Sequence, residues 1–368
     1  HFAFQSRTTH SIMKMNANVC ERLRSPVMKK TTIKDIANEL NISPSSVSRA
    51  LSDEPGVSPS LRKEIVDAAE RLNYIPNSSA KSLKTRKTQT VGLIVSDIRN
   101  PFFLDFMSGV ETVLFPRGYK FIVCDIGEDF EKERIYIKWL LEHGVEGILS
   151  SPCGGEDGRN NSRLYREAVR RNIPVVFYDR ILEGLDRISS VTLDNRQAIL
   201  QGVLHLKENG HRKLGIVLHK KGIYTIEERR MGFLEACKML DIEINADWII
   251  ENAVDAERAS LSLESVLKSD RRPDAIISTN QFLNEVIVAT VRRMGLKIPG
   301  DLSIVGFDDH SMNELIEPPL TTIRQPVKDI GRIAATIMLS EIDGTRGDKS
   351  KVVLKAELLQ RKSVSKLI

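Results

Sequence analysis

The chain reads as a small all-α unit followed by a larger α/β core of two parallel-sheet lobes. Three observations predict this. Apolar residues recur at helical spacing from Ile33 to Leu72. From Val91 onward seven short apolar runs (91–95, 119–124, 145–149, 173–178, 213–218, 274–278 and 302–307) alternate with amphipathic stretches such as Phe103 to Leu114 and Arg163 to Arg171. Between the two regions, residues 76–90 carry Lys81, Lys84, Arg86 and Lys87 and no acid. At 368 residues, 41% hydrophobic and 28% charged, the chain is long enough for two or three domains with their own cores.

The helical unit is punctuated at each end. Thr32 N-caps the first helix, with Asp35 three residues on as a short capping box. Ile33, Ile36, Ala37 and Leu40 then share one buried face. Asn41 tolerates the left-handed conformation that a sharp helix exit requires. Ser43 caps the second helix, and Pro44 sits at its first turn, where a missing N–H costs nothing. Val47 and Leu51 point inward, which leaves Pro44, Ser45, Ser46, Ser48 and Arg49 facing out. A third amphipathic helix with Leu61, Ile65, Ala68, Ala69 and Leu72 closes a three-helix core.

Two helices at a tight turn, the second with small polar side chains outward, suit the major groove of DNA. Helix pairs also occur throughout ordinary α-helical domains. The acid-free basic linker, suited to phosphates, is what favours DNA. Ser45 and Ser46 hydroxyls serve several bases, so the base sequence is not legible. A dimer on a pseudopalindromic double-stranded site is expected, because paired recognition helices mirror a two-fold axis.

In the core, alternation of apolar runs and helices predicts parallel sheets covered on both faces. Four runs precede Ser190 and three follow, which suggests two similar lobes. The runs end in Ser96-Asp97, Asp125, Ser150-Ser151, Asp179-Arg180, His219, Thr279-Asn280 and Asp308-Asp309. Ligands of open parallel sheets bind beyond the carboxyl ends of the strands. Strand ends are also polar simply because loops begin there, but a set with Asp-Arg, Thr-Asn and Asp-Asp pairs favours a polar cleft.

Composition narrows the function classes. The net charge of +5 is uneven: residues 28–90 carry eleven Lys/Arg against seven Asp/Glu, residues 1–27 four against one, and the rest is slightly acidic. Cys20, Cys124, Cys153 and Cys237 are widely spaced, without C-x-x-C pairing, so neither a disulfide framework nor a zinc site is expected and a reducing cytoplasm fits. No apolar run approaches a membrane span of roughly 20 residues. Residues 1–27 begin at His1 and show no helical period, no strand period and no signal-peptide core. They are expected to be disordered or to precede a natural start at Met28. An enzyme is not expected. Cys153-Gly154-Gly155-Glu156-Asp157-Gly158 lacks the phosphate-loop signatures, and no G-x-S-x-G or H-E-x-x-H occurs. No cofactor and no metal are expected.

Thr32 to Leu51, with Tyr74-Ile75-Pro76-Asn77 and Ala80 to Leu83, resembles the lactose/galactose-repressor (LacI/GalR) family. The likeness continues through Val91-Gly92-Leu93-Ile94-Val95, Asn100-Pro101-Phe102-Phe103, Val305-Gly306-Phe307-Asp308-Asp309 and Thr321-Thr322-Ile323-Arg324-Gln325-Pro326. It covers roughly residues 29–362. The resemblance implies an N-terminal helix-turn-helix domain over 28–75, a hinge helix within 76–90, and a two-lobed periplasmic-binding-protein-like core over 91–362. Lobe 1 is placed at about 91–189 and 320–350, lobe 2 at about 190–319 and 351–362.

By position, the resemblance puts Pro44, Ser45 and Arg49 on base edges, with Thr32, Ser43, Ser46, Ser48, Asn77, Lys81 and Lys84 completing the DNA-facing set. Leu83, beside the small Ala80, matches a leucine prised between base steps; otherwise it is a linker leucine packing on the core. The effector contacts implied are Asp97, Asn100, Phe102, Phe103, Asp179, Arg180, Arg229, Asn280, Gln281 and Asp308, although Phe102 and Phe103 suit core packing equally well. Where the family commonly has Asn-Asp, this chain has Asn280-Gln281. Losing an acid while keeping Arg180 and Arg229 leans towards a sugar acid or sugar phosphate over a neutral sugar. The expected protein is therefore a cytoplasmic repressor, dimeric or tetrameric, whose operator binding is controlled by a sugar-like effector. The alternative is a solute-binding receptor for a transporter, without a DNA role.

Overall fold

The computed structural model describes residues 31–75, 87–154, 158–345 and 348–367. The chain separates into two compact units at Arg86/Lys87. The first holds three helices, α1 (Ile33–Glu39), α2 (Pro44–Leu51) and α3 (Pro59–Arg71). The capping box of α1 is formed: Asp35 N donates to Thr32 Oγ1 at 3.4 Å, and Thr32 N donates to Asp35 Oδ2 at 2.8 Å. Asn41 turns the chain at φ 53°. Ser43 and Ser58 cap the other two helices, each followed by proline at the first turn. Ile36, Ala37, Val47, Ala50, Ile65, Ala68 and Ala69 make the core. Leu51, half-buried, packs against this core as expected, and Ala50 is buried beside it. Arg62 pins the exit of α2, donating to Ala50 O at 3.0 Å, Asp53 Oδ1 at 2.7 Å and Glu54 O at 2.7 Å.

The second unit contains two six-stranded sheets. Its first half runs β1 (Thr90–Val95), α4 (Pro101–Leu114), β2 (Lys120–Asp125), α5 (Phe130–Glu142), β3 (Gly147–Ser150), α6 (Ser162–Arg170), β4 (Val175–Tyr178) and β5 (Ser189–Leu193). The second half runs α7 (Asn195–Glu208), β6 (Leu214–Val217), α8 (Tyr224–Met239), β7 (Ile249–Ile250), α9 (Ala256–Leu267), β8 (Ala275–Ser278), α10 (Gln281–Arg293), β9 (Ser303–Phe307), α11 (Met312–Leu315) and β10 (Thr321–Arg324). Then follow α12 (Val327–Ile342), β11 (Lys351–Leu354) and β12 (Glu357–Leu359). The sheet orders are β11-β5-β4-β3-β1-β2 and β12-β10-β9-β8-β6-β7. All neighbours are parallel except β12, which runs antiparallel to β10. Among the described residues, no helix is long and apolar enough to cross a membrane.

All seven apolar runs form strands. Five more strands, β5, β7, β10, β11 and β12, were not expected. β5 reads Ser-Ser-Val-Thr-Leu and β10 Thr-Thr-Ile-Arg, polar runs that the neighbouring strands nevertheless bury. They also move the lobe boundaries. The chain crosses between sheets after Leu193, after Arg324 and after Leu354, a few residues beyond the expected 189, 319 and 350. β10 therefore belongs to the second sheet rather than to the first.

Helix α12 returns to the first sheet and packs on α4, β3, β4 and β5. The two helices meet backbone to backbone. A Cβ on Gly331 would lie 2.3 Å from Phe106 O, and one on Gly109 would lie 2.2 Å from Lys328 O. Neither carbonyl can retreat without moving its helix, so both positions require glycine. Gly331→Ala should cost about 3 kcal/mol by overpacking, read as a lowered midpoint in urea unfolding of the core unit. An unchanged midpoint would mean that the helices separate freely.

Candidate functional site

Two regions concentrate polar side chains. In the first unit, Pro44, Ser45 and Arg49 are exposed along α2, and Ser46 and Ser48 are half-buried beside them. Ser43 Oγ lies 2.8 Å from Ser45 Oγ and 2.9 Å from Ser46 Oγ, so the start of α2 presents a knot of hydroxyls. Thr32 and Ser43 are exposed but serve as caps, which ties their oxygens to backbone N–H groups. Arg49 has no ion-pair partner among the described residues, and its charge is available to an outside anion. Asn77, Ala80, Lys81, Leu83 and Lys84 lie outside the described residues.

In the second unit, a cavity of about 520 Å3 is lined by residues that follow β1, β2 and β4 of the first sheet and β6, β8, β9 and β10 of the second. Parallel strands are apolar along their length and meet polar loops at their carboxyl ends, and both sheets deliver those ends here. All ten residues expected to contact an effector line this one cavity: Asp97, Asn100, Phe102, Phe103, Asp179, Arg180, Arg229, Asn280, Gln281 and Asp308. Phe103 is only 2% exposed, so its ring serves mainly the core. Asn100 and Asn280 use their side-chain oxygens to cap α4 and α10.

Asp179 follows β4 at φ 62° and Asp308 follows β9 at φ 68°, equivalent places in the two lobes. Burial pushes both carboxyls above the usual range; Asp308 adds to the rise at Asp179 and Asp309 to that at Asp308, while Arg180 and Arg229 oppose the shift at Asp179 and Arg229 opposes it at Asp308. Arg229 is buried on α8. Its Nε donates to Asn195 Oδ1 at 2.8 Å and its Nη1 to Thr279 O at 2.6 Å, and the guanidinium lies 3.7 Å from the centre of the Phe307 ring. Burial lowers its pKa. Gln325 Nε2 donates to Asp308 Oδ1 at 2.6 Å. Burial also depresses the His219 imidazole.

The expected cationic surplus is absent. Six carboxylates (Asp97, Glu128, Asp179, Asp255, Glu285 and Asp308) line the cavity against three arginines. Two of those arginines are already paired: Arg180 with Glu128, and Arg99 with Asp97. Burial disfavours the Arg180 charge, but Glu128 overcomes it and holds the pKa above the ordinary value. Burial likewise resists ionisation of Asp97, and hydrogen bonds from Arg99 outweigh it. Gln281, read from sequence as a change in ligand preference, is committed to the protein. Its Oε1 accepts from Asn284 and Asn313 at 3.1 Å each, and its Nε2 donates to Glu285 at 3.2 Å. The lean towards an anionic effector therefore loses its basis.

Sequence reasoning missed Glu128, Arg99, Gln325 and Phe282 in this wall. Gln325 lay in a motif already noted. Glu128 has no local signal, because a turn three residues beyond β2 brings it in. Among the described residues, the buried side-chain polar atoms without a hydrogen bond are Ser96 Oγ, Arg180 Nε and Gln325 Oε1. All three belong to residues of the cavity wall. Unsatisfied buried groups cost stability unless a ligand meets them, so their gathering here marks a binding site. Among the described residues, no group of three His, Cys, Asp or Glu side chains could hold a metal ion.

The sequence profile described as "Bacterial regulatory proteins, lacI family" matches residues 32–77, and that of a "Periplasmic binding protein-like domain" matches residues 203–364. The chain is 32% identical over 338 residues to the HTH-type transcriptional repressor PurR of Aliivibrio salmonicida (strain LFI1238), across 91% of this chain and 99% of that protein. It is similar to the solved complex of the transcriptional regulator CelR with cellobiose, with a TM-score of 0.68 and 25% identity over 91% of this chain and 100% of that one. The lac repressor dimer bound to operator and the anti-inducer ONPF shares the fold, with a TM-score of 0.80 and 22% identity over 92% of this chain and 100% of that one.

The two raised carboxyls have a definite pH signature. Each holds its proton more tightly folded than unfolded, so its contribution is complete below the ordinary Asp range. That contribution is lost as pH rises through the raised value. Asp97 and Asp309, both lowered, act in the opposite sense. Asp179→Asn and Asp308→Asn should therefore melt a few degrees above the parent at neutral pH, at about 2–4 °C per kcal/mol. The gap should close as pH falls towards 4. A gap that widens on acidification would show that the carboxylates are stabilised as anions.

Proposed function

Because the chain belongs to the lacI family of bacterial regulatory proteins, we propose that it is a DNA-binding transcriptional repressor whose hold on its operator is set by a neutral, sugar-like molecule in the cleft. The observation that carries this reading is one cavity collecting polar strand ends from both lobes, in the same chain as a helix-turn-helix with an exposed arginine. The transporter-receptor alternative has no use for that unit.

A neutral polyol suits the wall better than an anion does. Carboxylates accept hydrogen bonds from hydroxyls, and the arginines not already saturated donate to ring or hydroxyl oxygens. Phe282 is 36% exposed and stands edge-on to His219, with ring centres 6.0 Å apart; it offers an apolar surface to a sugar's C–H face. An anion would meet a net excess of carboxylates.

The DNA side follows from α2. Ser45 and Arg49 would face the major groove, with Lys81 and Lys84 against phosphates and Leu83 wedged in the minor groove. A homodimer on a pseudopalindrome is the expected assembly. Regulation requires that the effector bind two lobe arrangements with different affinity, since equal affinity shifts nothing however tight it is.

The test is selection of genomic DNA by the purified protein, then gel-shift titration of the best site with neutral sugars, sugar acids and sugar phosphates. A palindromic site released or tightened by a neutral sugar is the expected result. Response only to anionic sugars, or to a non-sugar metabolite, would overturn the effector class; weak, sequence-blind binding would overturn the repressor reading. Arg49→Ala should cost about 1–3 kcal/mol of operator discrimination if it reads a base, and should only flatten the salt dependence if it touches phosphate.

A further inference from the structure

The wall of the cleft contains a forked ion pair between Arg180 and Glu128. Arg180 Nη1 donates to Glu128 Oε2 at 2.8 Å and Nη2 to Glu128 Oε1 at 2.7 Å, a fork-to-fork pairing. The two side chains are 10% and 17% exposed. This is the geometry by which a guanidinium recognises a carboxylate or phosphate from outside. Here the protein supplies the carboxylate itself.

Glu128 is placed for this task at a cost. It adopts φ 58°, a conformation disfavoured for a residue with a Cβ. Its own N–H donates to Ser96 O at 2.9 Å, and its carbonyl accepts from Lys220 Nζ at 3.4 Å, so both lobes hold the turn in place. Backbone strain retained at a cleft points to a function. Arg180 Nε is left without a hydrogen bond and is paired only with Asp179 Oδ2 at 3.4 Å.

We propose that Glu128 is a specificity-determining residue: a built-in anion that occupies the fork of Arg180 and excludes carboxylate- and phosphate-bearing effectors. A neutral ligand leaves the pair intact and uses its remaining hydrogen-bonding capacity. An anionic ligand must either displace Glu128 into a cavity already rich in carboxylates or sit beside it. The inference rests on the effector reading above for its biological sense, but its chemistry is testable without a sugar.

The probe is inorganic phosphate, titrated calorimetrically and by melting temperature against the full-length protein in a non-phosphate buffer. Glu128→Gln strips Arg180 of its counter-ion. It should melt below the parent, bind phosphate saturably at least ten-fold more tightly than the parent, and recover melting temperature as it does so. Glu128→Asp keeps the charge and should stay closer to the parent in phosphate affinity. The double variant Glu128→Gln with Arg180→Gln should lose the phosphate site. Phosphate affinity in Glu128→Gln no greater than in the parent, or equal in the double variant, would overturn the proposal. Neutral sugars are titrated in parallel. If none binds parent or variant while phosphate still distinguishes them, the sugar reading fails and the role of Glu128 stands.

Discussion

A guanidinium taken out of water must be paired and hydrogen-bonded, or it destabilises the fold that buries it. Arg229 meets this demand in a way that organises the whole second lobe. It reaches from α8 to the side chain at the start of α7, to the backbone at the end of β8, and over the ring that ends β9. Helices α7 and α8 are thereby tied to the ends of the paired strands β8 and β9. The two raised carboxyls, one in each lobe, lie within its electrostatic reach. If the guanidinium were absent, Asp179 would keep Arg180 and Asp308 would keep Gln325, but the cation that favours ionisation of both would be gone. The cleft is thus a balanced set of buried charges, and its polarity is a structural obligation as much as a recognition surface.

How legible this was from sequence varied with the kind of force involved. The helical unit was readable almost residue by residue, because caps, proline placement and 3.6-residue spacing are local. Six strands were readable because strands buried on both faces are continuously apolar, and the edge strand β2 because its run is apolar although largely uncovered. β5 and β10 escaped because their serines and threonines are buried by neighbouring strands, not by their own hydrophobicity, and β7, at two residues, is too short to leave a pattern. Ten residues of the cavity wall were reachable from strand ends and family likeness. Glu128 was not, and neither was the charge balance. Counting Arg180 as a free cation was reasonable in one dimension; the partner that neutralises it lies 52 positions away. Gln281 was misread for the same reason, since its amide is spent on α10 and on Asn313 of α11.

At the rim of the cleft the lobes come close enough for single atoms to matter. A Cβ on Gly154, after β3, would lie 2.8 Å from Gly222 O, after β6. Lys220, from the same loop, reaches across to the carbonyl of Glu128. A rearrangement that parted the lobes here would give these contacts up. They belong to the free-energy difference between arrangements that any ligand must shift. The turn that carries Glu128 is thus also one side of a contact between the lobes.

The return of α12 and β11 to the first sheet carries a consequence for how the chain is made. That sheet begins at Thr90, yet its edge strand ends at Leu354, and the helix that seals its face cannot leave the ribosome until residue 342 has been added. During synthesis the first lobe must wait, with the face of α4 that α12 covers left exposed, while all of the second sheet except β12 is translated. Long-range closure of this kind slows folding and leaves the unfinished sheet prone to wrong pairings. The N-terminal three helices, whose contacts are all local, carry no such delay. The helix-turn-helix unit can be folded well before the domain that regulates it.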